Sequence, residues 1–217
     1  MCTVGWTETP IVKLVLRHGL KEQDYMLLVR PLDVDPKADD TVRTVQQFIS
    51  KSIGRDASSY VKQIRVDVLN FYSAVMLIRE ELEKLSPAEL IVNLSGGMRA
   101  LMLETLTAVL AYKTNQGNWE NISVEVELEN RSGNILIGGR IFGIICSPLR
   151  EEMKDLLKEL KRGDKRISEL AKMFDVDLAT AYRWVARLRK EGIVELRREN
   201  GKKGSKVRLT DEAAAMV

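Results

Sequence analysis

No stretch limits the folding of this chain more than Leu90 to Tyr112. Leu90 to Leu94 is an apolar run of strand length; Ser95, Gly96 and Gly97 break it, and an apolar segment of helix length begins near Met98. The expected local structure is a strand, a glycine turn and a helix. Adjacent glycines permit close backbone approach and positive φ, and the first helical turn leaves N–H groups without partners, so such a turn suits an anion. Arg99 sits where the helix dipole favours negative charge and therefore calls for compensation, by a bound phosphate or by a neighbouring carboxylate. The spacing Asn93-x-Ser95-x-x-x-Arg99 is neither Gly-x-x-x-x-Gly-Lys-Ser/Thr nor Gly-x-Gly-x-x-Gly. From spacing alone, a ligand turn and an ordinary glycine turn both remain open.

Strand and helix patterns alternate on either side of this stretch. Cys2 to Trp6 reads as a first strand, and Thr9 with Pro10 reads as an N-cap and first helical position. A second strand follows at Tyr25 to Val29, a helix from about Asp40 to Ser52, and a third strand at Ile64 to Val68. Asn70 caps the next helix, which ends at Ser86-Pro87 before the central strand arrives at Leu90. Ile122 to Leu128 and Asn134 to Gly139 form a closing hairpin signalled by Ser132-Gly133. The order predicts a mostly parallel, doubly wound sheet with an antiparallel finish. With the common strand order 3-2-1-4-5-6, the first and fourth strands are neighbours at the topological switch point. Gly5 to Thr9 would then lie beside Ser95 to Arg99 and share one rim. The helix after Arg99 is apolar nearly all round, with a thin polar strip at Glu104, Thr105 and Thr107, so it is expected to be buried on both sides. One side is the sheet; the other is a second subunit or the interior.

Ser147-Pro148 is the expected boundary, dividing residues 1–147 from 148–217. Of the chain's 217 residues and net charge of +3, residues 150–217 hold 18 Lys plus Arg against 13 Asp plus Glu, so the C-terminal part is the basic one. Helices at Glu151 to Leu160, Ile167 to Phe174 and Leu178 to Lys190, the last capped by Asp177, precede strands at Ile193 to Arg198 and Lys206 to Leu209. That order is a winged helix-turn-helix. Its third helix exposes Ala179, Thr180, Tyr182, Arg183 and Arg187, groups suited to a major groove, with Arg183 fitted to guanine edges. Arg197, Arg198, Lys202, Lys203 and Lys206 on the wing suit phosphate contacts that carry no sequence information. A solvated basic face or a protein-interaction module is the alternative. Cys2 and Cys146 show no metal-ligand spacing, His18 is the only histidine, and no metal or other cofactor is expected. No apolar run reaches the roughly 18 residues of a membrane span and no signal peptide is evident, so the expected location is the cytoplasm.

A Rossmann-like order with Asn93-Leu94-Ser95-Gly96-Gly97-Met98-Arg99 after its fourth strand resembles the CRISPR-associated Rossmann fold, or CARF, domain. Joined to a winged helix, the whole chain is similar to the archaeal Csa-type CARF transcriptional regulators. The resemblance implies a homodimer that binds a cyclic oligoadenylate, often cyclic tetra-adenylate, across its two-fold axis and double-stranded DNA at a promoter or CRISPR leader. By matching, Ser95, Gly96, Gly97, Met98 and Arg99 belong to the ligand motif, and Trp6, Thr7, Glu8 and Thr9 occupy the first-strand loop that also lines such sites. Glu8 departs from the pattern: a carboxylate beside a phosphate ring must turn away, pair with Arg99 or meet an adenine edge. The rival readings are a CARF protein that also cleaves the ring, with Ser95 and Arg99 orienting and stabilising charge, and a regulator of a different small ligand. A HEPN-type ribonuclease is disfavoured because no Arg-x-x-x-x-His occurs.

Overall fold

The computed structural model describes all residues except 34, 55, 129–132, 147–148, 199–204 and 216–217, and omits the side chains of Arg198 and Glu212. It divides into two units, Met1–Gly138 and Gly139–Val217. The sequence-based boundary at residues 147–148 lies outside the described residues.

The first unit is built on a six-stranded sheet in the order β3-β2-β1-β4-β5-β6. Its strands are β1 (Cys2–Thr3), β2 (Met26–Pro31), β3 (Val61–Val66), β4 (Leu90–Asn93), β5 (Ile122–Glu127) and β6 (Asn134–Gly138). All neighbours pair in parallel except β5 and β6. β2 is buried over its first five residues, the near-continuous apolar run of a parallel strand covered on both faces. The helices are α1 (Thr9–His18), α2 (Pro36–Ile53), α3 (Phe71–Leu85) and α4 (Arg99–Gln116), with a 3-10 turn at Ala57–Ser59. Ile11, Leu14 and Val15 of α1 and Val42, Val45 and Ile49 of α2 bury one core against Met26 and Leu28. Each such aliphatic side chain contributes about 1.5 to 3 kcal/mol on full burial.

Several boundaries differ from the sequence reading. The first helix does not use Thr9 as its cap: Glu8 is already in right-handed helical conformation, and the hydroxyl of Thr7 accepts from the Thr9 N–H at 3.3 Å. Asp35 starts α2 four residues earlier than the apolar period suggested, its carboxylate accepting from the N–H of Lys37 at 3.0 Å. Asn70 caps α3 as expected, accepting from Ser73 N–H. The polar strip of α4 is reversed. Glu104 and Thr105 are fully buried while Leu103 is 60 % exposed, so the helix turns two polar groups inward and an apolar one outward.

The second unit contains α5 (Gly139–Cys146), α6 (Glu151–Lys161), β7 (Lys165–Arg166), α7 (Ile167–Met173), α8 (Leu178–Lys190), β8 (Val194–Arg198), β9 (Ser205–Leu209) and α9 (Asp211–Ala214). β7, β9 and β8 form an antiparallel sheet in that order. Leu156, Leu170, Ala181, Val185, Leu188, Ile193 and Val207 share its core, with Trp184 edge-on to Phe174 at 6.1 Å. This is a winged helix-turn-helix, and the molecule as a whole is an α/β chain of a Rossmann-like unit followed by that module. The short α5 and α9 have no strong signal in the sequence.

Candidate ligand rim and nucleic-acid interface

The two turns expected to meet do meet. A Cβ placed on Gly5 would lie 2.5 Å from the backbone nitrogen of Gly97, one on Gly96 would lie 2.6 Å from Thr3 O, and one on Gly97 would lie 2.6 Å from Val4 O. Gly97 also has φ +85°, a conformation that other residues adopt only with strain. Backbone contact between the loops after β1 and β4 therefore accounts for all three glycines without a ligand. Their smallness brings two chain segments together and leaves the helices behind them starting from one rim.

The side chains on that rim divide into those with protein partners and those without. Ser95 is engaged: its N–H donates to Asn93 Oδ1 at 3.0 Å, and its hydroxyl oxygen accepts from the Glu127 N–H at 2.7 Å, so it pins the turn to the end of β5. Thr7 and Thr9 bond to each other through their hydroxyls at 3.0 Å. Trp6 reaches toward α2, its indole Nε1 donating to Asp35 Oδ2 at 2.6 Å while Lys37 Nζ stands 4.9 Å from the ring centroid. That hydrogen bond, helped by the Lys37 and Ala38 amides, holds the Asp35 carboxyl below its usual range. Met98 is about half exposed and supplies no cap to α4. Arg99 is exposed in the first turn of α4 and forms no hydrogen bond or ion pair among the described residues. Glu8, half-buried, makes no side-chain bond there either, so the alternative of a Glu8–Arg99 pair is not realised.

Three basic groups of α1 near this end of the sheet are already paired. Lys13 bonds Glu127, and Arg17 and His18 both bond Glu125, which is 2 % exposed. Burial pushes the Glu125 carboxyl up, but the bonds from His18 and Arg17 outweigh it and hold the group below its ordinary range. His18 is thus part of a built contact between α1 and β5. Among the described residues, Arg99 remains the uncommitted cation of the expected rim.

In the second unit, Asp177 caps α8 as the sequence indicated, accepting from the Thr180 N–H at 2.8 Å. The Thr180 hydroxyl donates to the same carboxylate at 2.7 Å and accepts from Arg183 at 2.7 Å. A capping carboxylate thereby orders Arg183 through one intermediate hydroxyl. Ala179, Tyr182, Arg183 and Arg187 are exposed, and Arg187 pairs with Glu191 at 3.0 Å. Arg197 is exposed on β8 opposite Lys206 of β9, and Arg198 pairs in register with Ser205. Lys202 and Lys203 lie outside the described residues.

Residues 1–138 match the family described as the Csa3 CRISPR-associated Rossmann-like domain. The chain belongs to that family. Behind its Csa3 domain, residues 154–215 match a winged helix-turn-helix family. No curated protein sequence matches. Among solved structures the chain is similar to the homodimeric winged helix-turn-helix DNA-binding domain of a possible ArsR-family regulator from Mycobacterium bovis, at 23% identity, TM-score 0.30, over 36% of this chain and 67% of that one. It is also similar to the adhesin competence repressor AdcR of Streptococcus pyogenes (18%, TM-score 0.30, 32% of this chain and 55% of that one). A third is a point mutant of ZitR from Lactococcus lactis (14%, TM-score 0.30, 32% of this chain and 50% of that one). The chain therefore spans about half the length of the latter two.

Sequence reasoning missed two parts of the surroundings of the Csa3 rim. Asp35 and Lys37 come to Trp6 from α2, about thirty residues away, and no local pattern announces that approach. Lys13, Arg17, Glu125 and Glu127 pair across α1 and β5; helical spacing of Lys13 and Arg17 on one face was the available hint.

Proposed function

We propose that the chain is a cytoplasmic CRISPR-associated transcriptional regulator: a homodimer whose Csa3 domains sense a cyclic oligoadenylate, cyclic tetra-adenylate first, and whose winged helices bind double-stranded DNA. The observation that carries the ligand reading is the uncapped start of α4 with an Arg99 that is unpaired among the described residues, set against the glycine contact between two loops. Open first-turn amides and a free guanidinium attract phosphate oxygens, and Lys13 and Arg17 of α1 are neutralised at β5. Support for the DNA reading comes from Arg183, pre-ordered through Thr180 and Asp177, on an exposed helix followed by a basic wing. Support for a dimer comes from exposed Leu103 and Met98 on and beside α4 and exposed Tyr72 and Met76 on α3, apolar side chains on two packed helices that a second copy would cover.

A two-fold symmetric anionic ring contacts both rims at once, favours one arrangement of the dimer and so changes the separation of the two winged helices. Only differential affinity for the two arrangements produces regulation. The test is operator affinity with and without saturating cyclic tetra-adenylate; a shift in affinity is expected, and identical curves at several salt concentrations would remove the coupling. Labelled ring recovered intact after incubation is the result expected of a sensor, whereas linear product would make the protein a ring-cleaving enzyme.

A further inference from the structure

Trp6 is 71 % exposed, an unusual condition for the largest side chain, and it is nevertheless held in place. Its Nε1–H is bonded to Asp35 Oδ2 at 2.6 Å, which fixes the edge of the indole, and Lys37 Nζ lies over the ring at 4.9 Å. Asp35 is itself immobilised as the N-cap of α2. The indole follows directly on Gly5, whose backbone touches Gly97 two residues before Arg99. Core packing does not explain an aromatic plane that is oriented by a carboxylate, accompanied by a cation and left open to solvent.

We propose that Trp6 is a stacking platform for a purine base of the bound nucleotide, with Lys37 contacting the phosphate attached to that base and Asp35 setting the angle of the indole. Every nucleobase has a π-face that stacks on an aromatic side chain, and a planar group fixed beforehand loses little freedom on binding. The proposal extends the rim onto α2. It divides recognition between the phosphate, held at Arg99 and the start of α4, and the base, held at Trp6. In taking a nucleotide as the occupant it rests on the reading of the preceding section.

The test uses the full chain with Trp119→Phe and Trp184→Phe, so that Trp6 is the only indole, titrated with adenosine 5′-monophosphate, ribose 5-phosphate and cyclic tetra-adenylate. Saturable quenching is expected from the two adenine-bearing probes and not from the sugar phosphate. Calorimetry with Trp6→Ala, whose fold is checked by circular dichroism, is expected to show ring affinity reduced about tenfold or more; Trp6→Phe should fall between, and Lys37→Ala should flatten the salt dependence. Equal ring affinity in wild type and Trp6→Ala with no quenching overturns the platform and leaves the ring reading standing. Saturable, Lys37-dependent quenching by the monophosphate without any binding of the ring keeps the platform and overturns the ring as ligand. Absence of both overturns both.

Discussion

A methyl group on Gly97 would stand 2.6 Å from the carbonyl oxygen of Val4, against backbone that no rotamer change can move, in a residue already at positive φ. Gly97→Ala is therefore expected to lower the unfolding free energy of the first unit by roughly 2 kcal/mol or more in urea melts. Gly117→Ala is the control: its φ is +69° but nothing lies within 4 Å, so only the left-handed strain of about 1 kcal/mol applies. Equal losses at the two positions would show that the loops do not touch. Glu104 presents the opposite anomaly, a fully buried carboxylate with no hydrogen-bond partner for either oxygen among the described residues. Burial, with the Asp67 charge adding to it, pushes its carboxyl up. The folded state thus holds this proton more tightly than the unfolded chain does. Its stabilising contribution is in place below the ordinary Glu value of about 4.3 and is lost as pH rises through the folded-state value. Glu104→Gln is expected to flatten that decline in melts taken across a pH series. If the variant keeps the wild-type slope, another group titrates.

Between residue and molecule stand α4 and α8, two helices that begin in different ways. α8 opens on Asp177, which bonds the Thr180 amide and, through the Thr180 hydroxyl, steers Arg183. Asp177→Ala should cost about 1 kcal/mol of stability in the second unit and, by releasing Arg183, relax sequence discrimination in a competition assay, as Arg183→Ala should more strongly. Lys202→Ala should instead weaken binding evenly across sequences and reduce the slope of log affinity against log salt by about 0.9. Uniform losses from Arg183→Ala as well would mean that α8 does not read bases. α4 opens on Met98 with no side-chain cap and with a cation in its first turn, an arrangement that a helix standing alone disfavours. An anion placed there would compensate both the dipole and the open amides.

Over the molecule as a whole, charge is segregated. The basic excess lies in residues 150–217, with 18 Lys plus Arg against 13 Asp plus Glu, while the first unit pairs cations of α1 at β5 and, among the described residues, leaves Arg99 without a partner. A ring that spans a two-fold axis needs two rims, so calorimetry is expected to give one cyclic tetra-adenylate per two chains. One per chain would mean that each rim binds alone, and the geometric basis for coupling to the winged helices would be gone.

Local pattern was enough to specify the succession of strands and longer helices in the first unit, the caps Asn70 and Asp177 and the helix-turn-helix, because each rests on periodicity or on a side chain within three residues of its target. The strand order 3-2-1-4-5-6 is assumed from the sequence as the common one and is the order observed; it brings Gly5 to Ser95–Arg99, since that topology makes those loops neighbours. Packing in three dimensions settled the rest. Whether Arg99 is paired, which way Trp6 leans, why Glu104 is buried and what His18 holds all depend on groups that lie far apart in the chain, about a hundred residues in the case of His18 and Glu125. Such contacts are fixed by how helices settle on a sheet, where the burial of many apolar side chains outweighs the preference of any one polar group.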